Sequence, residues 1–223
     1  MEIKPRLLSS ICRKGLPTLA VLSLLLVPSQ SKADTIYSTL SAYNAATAGN
    51  TTITFNGIAS PGSYVQQTSP FTLSGATFSS TSSLFIIDPA YYGFSYAEGG
   101  FLSGDYQTPD VITVTLPSVT AVGFDYGGLL GTTGSFMVTL SDGFTTTLST
   151  TDSTADGSLS FAGFTSATPL TSITLTLPDA PNYNAIDNFV YGQSGVVPEP
   201  ASLALMLTGL IGAAGIVRRR FQQ

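Results

Sequence analysis

Carboxylates are the main ionisable side chains that residues 34–197 offer for chemistry. This stretch holds eleven Asp and Glu residues but no Lys, Arg, His, Cys or Trp. Without His, Cys or Lys, the Ser–His–Asp, Cys–His and Schiff-base forms of catalysis are excluded, and a zinc site is not expected. A stretch that has acids and no bases cannot neutralise phosphates, so nucleic-acid binding is excluded as well.

Two carboxylates can hydrolyse a glycosidic bond, but Glu98 is the only glutamate here and most aspartates lie at turns. We therefore expect no enzymatic activity, and a glycan hydrolase is the weakest alternative.

Asp187 and Asn188 are the candidate metal site. They form a polar pair inside the apolar stretch Ala-Ile-Asp-Asn-Phe. Calcium needs only oxygen ligands, so the pair could ligate Ca²⁺ near a sheet edge. No EF-hand-like spacing supports the ion, and the alternative is that both side chains satisfy backbone groups of a neighbouring loop.

The stretch from Asp88 to Asp110 is the candidate binding surface. It is rich in aromatic residues, glycines and carboxylates. Flat aromatic faces beside carboxylate acceptors suit sugar recognition, and Tyr91, Tyr92 and Tyr96 are the candidate carbohydrate contacts. The alternative is a long loop whose aromatic side chains pack over the edge of the fold, because aromatic residues mostly serve packing.

Alternating apolar and polar residues predict that β-strands position these candidates. Ile112, Val114 and Leu116 point one way while the threonines between them point the other. The dipeptide Asp142-Gly143 between two such runs predicts a hairpin. Only residues 39–48 hint at a helix. The predicted strands are Thr52–Phe55, Phe71–Leu73, Ala76–Ser80, Leu84–Ile87, Ile112–Leu116, Ala121–Tyr126, Phe136–Leu140, Phe144–Leu148, Leu159–Ala162, Ile173–Leu177 and Ala185–Tyr191.

Many short strands separated by turns predict an all-β fold, an antiparallel two-sheet β-sandwich of jelly-roll type. A β-solenoid is the alternative, but the sequence has no fixed repeat. The stretch contains 22 Phe and Tyr residues, enough for a substantial core. Since it lacks bases and cysteines, neither ion pairs between its side chains nor disulfides can stabilise it.

The C-terminal segment, residues 195–223, has the features of a localisation signal. Pro198, Glu199 and Pro200 precede an apolar run at 201–217, and the cluster Arg218-Arg219-Arg220 follows it. This run of 17 residues is at the short end of what crosses a bilayer as a helix, so we predict a transmembrane helix that anchors weakly. Basic residues beside a span stay in the cytoplasm, so the chain before the span should lie outside.

The N-terminus gives the same orientation independently. A basic segment precedes a short apolar run at 16–27, and Ser31-Lys32-Ala33 places small residues before Asp34. This pattern is typical of a signal peptide over 1–33, cleaved between Ala33 and Asp34. The chain thus divides into a signal peptide, a β-sandwich domain at 34–194 and the C-terminal segment.

The order of Pro198-Glu199-Pro200, a single span and a terminal Arg cluster resembles the PEP-CTERM sorting signal of Gram-negative bacteria. The resemblance implies export by the Sec translocon, transient anchoring in the inner membrane and processing near the motif by an exosortase. It also implies association with extracellular polysaccharide and biofilm. We therefore expect an exported cell-surface or matrix protein with a structural or adhesive role. The alternative is a carbohydrate-binding module for the cell's own polysaccharide, with or without calcium.

Overall fold

The computed structural model describes residues 34–93, 99–105, 109–129, 134–150, 159–177 and 184–195. All strand pairings among these residues are antiparallel. The elements in chain order are β1 (Thr35–Tyr37), α1 (Leu40–Ala46), β2 (Thr47–Ile53), β3 (Tyr64–Gln67), β4 (Phe71–Leu73), β5 (Ala76–Ser80), β6 (Leu84–Ile87), a 3-10 turn (Pro89–Tyr92), β7 (Phe101–Gly104), β8 (Asp110–Gly128), β9 (Gly134–Leu140), β10 (Thr145–Thr150), β11 (Ser160–Leu177) and β12 (Asn184–Ser194).

Two long strands, β8 and β11, run through two layers. Residues 119–128 of β8 and 160–165 of β11 belong to the first layer. The strand order of this layer is β1-β11-β8-β12-β7-β6-β3, and β2 also lies beside β12. The other halves of β8 and β11, 110–115 and 172–177, belong to the second layer, β4-β5-β8-β11-β9-β10. The β8–β11 register shifts between Thr165 and Ser172, and a positive φ of 55° at Ser118 lies on the facing strand. Such irregularities bend paired strands, so this point separates the layers.

The main core lies between the two layers. Phe78 of the second layer contacts Phe55 and Phe189, which lie on the side of the first layer, with ring centroids 5.6 Å apart in both pairs. Phe189 in turn stacks on Phe124 at 6.3 Å. These rings and the alternating Ile, Leu and Val residues of both layers form one buried cluster. The predicted two-sheet antiparallel β-sandwich is confirmed.

The hairpin at Asp142-Gly143 is also confirmed. Gly143 has a φ of +96°, a conformation that glycine adopts without strain. The Phe144 N–H donates to Asp142 Oδ1 at 3.0 Å, which closes the turn, and β9 and β10 follow in register.

Helix α1 covers one end of the first layer. Thr39 caps it by accepting the Ala42 N–H at 3.2 Å. Its one buried residue, Tyr43, packs on Tyr37 and Phe161 and so tightly over Gly163 that a Cβ there would lie 2.5 Å from the ring. Among the described residues, the buried Tyr43 hydroxyl has no hydrogen-bond partner. Burial, and then the neighbouring Tyr37, raise the pKa of Tyr43.

The sequence missed three short strands and split two long ones. β1, β3 and β7 carry no alternation of apolar and polar residues, and β8 and β11 each join two separately predicted strands. Within the described residues, no helix is long and apolar enough to cross a membrane. The predicted span at 201–217 and the signal peptide lie outside the described residues.

Candidate functional site

An aromatic patch lies at the β3 edge of the first layer. We define it as Tyr64, Phe85, Tyr91 and Tyr92. The Tyr64 ring meets Tyr91 at 5.1 Å and Phe85 at 5.8 Å, and Tyr91 meets Tyr92 at 4.9 Å. Tyr64 is 49% exposed and Tyr91 is 45% exposed, so both rings reach solvent. Tyr92 and Phe85 also pack on a small second cluster on the outer face of the layer.

Asp88 fixes the patch in place. Its side chain caps the 3-10 turn by accepting the Ala90 N–H at 3.1 Å, and the same Oδ1 accepts the Gly62 N–H at 2.9 Å. One carboxylate therefore ties the loop before β3 to the turn after β6. This contact holds Tyr91 over Tyr64, although the two residues are far apart in sequence.

A polar groove lies at the other end of the same strand. It is lined by Gln66, Gln67, Thr68, Ser69, Ser82 and Ser83 and has a volume of about 460 Å³. Gln66 Nε2 donates to Ser83 Oγ at 3.2 Å across it. Residues two apart on a strand point to the same side and lie about 7 Å apart, so Tyr64 and Gln66 are neighbours. The patch and the groove follow one strand edge.

Aromatic rings and uncharged polar groups dominate the chemistry of this edge, with the Asp88 carboxylate beside the patch. The groove residues offer amides and hydroxyls, which donate and accept hydrogen bonds without carrying charge. The rings of the patch cross at 74–77°, so they do not form one flat platform. An incoming flat group could stack on the face of one exposed ring while meeting the edge of the next.

Of the three predicted carbohydrate contacts, the structure brings Tyr91 and Tyr92 together, and Tyr96 lies outside the described residues. Sequence reasoning missed Tyr64, Phe85 and the groove. Tyr64 begins the segment Tyr-Val-Gln-Gln, which lacks alternation, so only the fold could place it beside Tyr91.

The predicted calcium pair lies at a bulge in β12. The register of β12 against β8 shifts between Asp187 and Val190, and Asn188 has a φ of +44°. The Asn188 N–H donates to Asp187 Oδ1 at 2.7 Å, and Asn188 Nδ2 donates to Asp125 Oδ2 at 2.9 Å. These bonds stabilise the bulge and join it to β8.

Asp125 is a neighbour that the sequence did not reveal, because it lies directly opposite Asp187 on β8. Asn188 contacts both carboxylates, with its backbone N–H on Asp187 and its side-chain amide on Asp125, and Asp187 is only 3% exposed. Within the described part of the chain, no three Asp, Glu, His or Cys side chains are grouped to hold a metal ion. Calcium at Asp187 and Asn188 stays a prediction.

The bulge also changes which side chains face the core. Strict alternation would place Ile186 and Phe189 on opposite faces, but both belong to the main core. The inserted residue at the bulge reverses the alternation, a change that the sequence pattern did not show.

Asp110, at the end of the candidate loop, is a structural carboxylate. It is buried and accepts from Ser80 Oγ at 2.7 and 2.9 Å, from Thr81 Oγ1 at 2.9 Å and from the Val111 N–H at 2.7 Å. These bonds join the end of β5 to the start of β8. The stretch from Asp88 to Asp110 is therefore only partly a loop, since it also contains β7 and this anchor.

Two further acids approach each other where the described chain begins. Ser166 Oγ donates to Asp142 Oδ2 at 2.6 Å. Burial, and then the charge of Asp142, raise the pKa of Asp34, while a hydrogen bond from Ser166 opposes that shift. Asp34 is the residue at which the mature chain is predicted to start. Ala33, on the other side of the predicted cleavage, lies outside the described residues.

Several solved structures resemble the fold at low similarity. The K2 adhesin domain of Lys-gingipain has a TM-score of 0.40 and 9% identity over 64% of this chain and 99% of its own. The carbohydrate-binding module CBM29_1 of Piromyces equi has a TM-score of 0.40 and 9% identity over 70% and 99%. The family 11 carbohydrate-binding module of Clostridium thermocellum has a TM-score of 0.32 and 11% identity over 65% and 96%. Similarity at this level does not bear on what this chain binds.

No curated protein matches the chain in sequence. The C-terminal segment does match a family model, that of the PEP-CTERM protein-sorting motif, over residues 196–220. This match covers Pro198, Glu199 and Pro200, the apolar run and Arg218–Arg220, all of which lie outside the described residues. The chain carries a PEP-CTERM sorting motif at its C-terminal end.

Proposed function

We propose that this protein is exported through the Sec translocon, is held briefly in the inner membrane by residues 201–217 and is then processed by an exosortase. Its β-sandwich then serves a structural or adhesive role at the cell surface or in the extracellular matrix. The observation that carries the proposal is the sorting motif at 196–220. The charge distribution supports it, because all eight basic residues lie in the two terminal segments.

The physical character of the motif also supports processing. Two prolines keep residues 198–200 extended and non-helical, a shape that a protease cleft accepts, and Glu199 adds one charge for recognition. The three arginines would keep the far end of the span in the cytoplasm.

The intact mass of the protein recovered from cell envelopes and from the medium tests this proposal. We expect a mass that lacks residues 1–33 and 201–223, together with any group that the processing enzyme attaches. Glu199→Ala should leave a larger precursor in the inner membrane, while Ser202→Ala should be processed normally. A wild-type mass that retains residues 201–223, or protein confined to the cytosol, would refute the proposal.

A second function, polysaccharide binding, is favoured by the continuity of the aromatic patch with the polar groove. Sugar rings present apolar C–H faces and hydroxyl edges. The exposed faces of Tyr64 and Tyr91 suit the former, and the amides and hydroxyls from Gln66 to Ser83 suit the latter. A glycan chain that lies along β3 would meet both.

The lack of charged side chains in the groove and of basic residues in the domain favours an uncharged polysaccharide as the ligand. The groove carries no charged side chain, and the sequence from 34 to 197 has no base with which to pair a uronate or a sulfate. An anionic polysaccharide would be repelled, because the domain itself is negatively charged. We therefore propose neutral glycan chains as the ligand and a binding role, not a catalytic one, for the sandwich.

Sedimentation with insoluble cellulose, and gel-shift in soluble neutral glucan and in alginate, test this function. Tyr91→Ala, Tyr64→Ala and Gln66→Ala should each weaken retention by the neutral glucans. Ile36→Ala is the matched control, because Ile36 is 48% exposed and lies on β1, at the opposite edge of the same layer. Binding that survives both Tyr variants, or that favours alginate, would contradict the assignment.

A further inference from the structure

The edge strand β10 has the properties of a surface for a second protein strand. It ends the second layer, and among the described residues it pairs with β9 only. Its sequence, Thr-Thr-Thr-Leu-Ser-Thr, contains no charge and no proline. The register against β9 runs without a shift from Thr145 to Thr150. The edge is therefore straight, uncharged and six residues long.

Half of the backbone groups of β10 point away from β9. The Leu140 N–H donates to the Phe144 carbonyl at 2.9 Å, so Leu140 and Phe144 form a hydrogen-bonded pair of the hairpin. Because antiparallel bonds alternate along a strand, the even-numbered residues of β10 bond to β9. The N–H and C=O groups of Thr145, Thr147 and Ser149 then face outward. Their side chains are also exposed, on the outer face of the layer.

Other ends of the sheet are less open to pairing. β1 and β4 have three residues each and β3 has four. The pairing of β2 with β12 is interrupted by a register shift. Proteins commonly protect a sheet edge with lysine, proline, a bulge or a short strand. β10 has none of these, although its length makes protection useful.

We propose that β10 pairs with β10 of a second copy of this chain, antiparallel and about a two-fold axis at Thr147. Every outward N–H then meets an outward C=O of the partner, with Thr145 opposite Ser149. The second layers of the two copies become one continuous sheet. Met137, which is 43% exposed and lies opposite Thr147 on β9, adds apolar surface beside the axis.

Charge favours the antiparallel arrangement over a parallel one. Asp142 lies in the turn just before β10. Antiparallel pairing sends the two Asp142 turns to opposite ends of the joined strands, more than about 20 Å apart for strands of this length. Parallel pairing would put them side by side. At physiological salt the screening length is about 8 Å, so the separated carboxylates scarcely interact.

The overall charge predicts how association depends on salt. With eleven acids and no bases between 34 and 197, two copies repel each other at long range. Raising the ionic strength from about 0.01 to about 0.15 M shortens the screening length from about 30 to about 8 Å. Association through an uncharged edge should therefore strengthen with added salt, opposite to what ion pairs would show.

Cysteine crosslinking of the full-length protein with Cys12→Ser tests the pairing, because residues 34–197 contain no cysteine. Backbone-bonded antiparallel neighbours have Cα atoms about 5.5 Å apart, within disulfide reach. We expect Thr147→Cys to crosslink to itself under a mild thiol oxidant. Thr145→Cys should not crosslink to itself but should crosslink to Ser149→Cys in a mixture. Thr115→Cys is the control, since Thr115 is exposed but is paired on both sides.

Crosslinking of Thr147→Cys no greater than that of Thr115→Cys would overturn the proposal, and so would self-crosslinking of Thr145→Cys. Thr147→Lys places like charges opposite each other and should weaken association roughly fivefold, since such pairs cost up to about 1 kcal/mol. Thr115→Lys should not weaken it. The result is separable from glycan binding, because Thr147→Lys leaves the aromatic patch intact and Tyr91→Ala leaves β10 intact.

Discussion

Replacing Tyr43 with Phe removes a hydroxyl that is fully buried and that has no partner among the described residues. The ring remains, with its edge contacts to Tyr37 at 6.1 Å and to Phe161 at 5.5 Å. Leaving a buried hydroxyl unbonded costs about 1–3 kcal/mol. We therefore expect Tyr43→Phe to raise the free energy of unfolding by about 1–2 kcal/mol. For a domain of this size, each kcal/mol raises the melting temperature by about 2–4 °C.

Tyr191→Phe is the matched control, because it makes the same chemical change in the opposite situation. The nearly buried Tyr191 hydroxyl donates to the Ser74 carbonyl, so its removal should lower stability by about 1–3 kcal/mol. Urea unfolding followed by far-ultraviolet circular dichroism measures both variants. If Tyr43→Phe destabilised the protein as Tyr191→Phe does, the Tyr43 hydroxyl would have a bonding partner and the reasoning would be refuted.

Three further outcomes follow from the structure. Gly163→Ala should destabilise the protein by about 1–3 kcal/mol in the same unfolding assay, because the new Cβ would lie 2.5 Å from the Tyr43 ring; unchanged stability would mean that α1 shifts freely. Asn188→Ala should cost about 2–4 kcal/mol, since it removes a hydrogen bond to a carboxylate and puts alanine at a positive φ, and Asn188→Gly should recover the part due to backbone strain. The pKa of Asp34 is raised, so the protonated form is favoured on folding and its stabilising effect is lost as pH rises through that raised pKa. As pH rises through that pKa, the stability of Asp34→Asn should therefore increase relative to that of the wild type. A constant difference between the two stability–pH curves would contradict the raised pKa.

Local alternation made the two-layer fold predictable. Phe71–Leu73, Ala76–Ser80 and Leu84–Ile87 were predicted with the bounds that the structure shows. Every second residue of these strands faces the core: Phe71 and Leu73, Ala76 and Phe78, and Leu84 and Ile86. The Asp142-Gly143 turn was predictable for a similar reason, because its geometry depends on residues adjacent in sequence.

The features that the sequence did not reveal depend on long-range pairing. Residues 110–128 read as two strands because Pro117 and Ser118 interrupt the pattern, yet the neighbouring strands carry the chain through a bend. Tyr64 becomes part of the aromatic patch through the pairing of β3 with β6 and the contact of Asp88 with Gly62. Asp125 lies opposite Asp187 because β8 and β12 are neighbours, which no local pattern specifies.

The position of β12 determines how the fold would respond to tension. The described chain leaves the sandwich from β12, which lies between β8 on one side and β2 and β7 on the other. Pulling on the C-terminal segment would drag this strand lengthwise between its neighbours. Its flanking hydrogen bonds would then be strained together, not broken one after another from an end. The strand nearest the C-terminal segment is thus the one whose removal would require many hydrogen bonds to break at once.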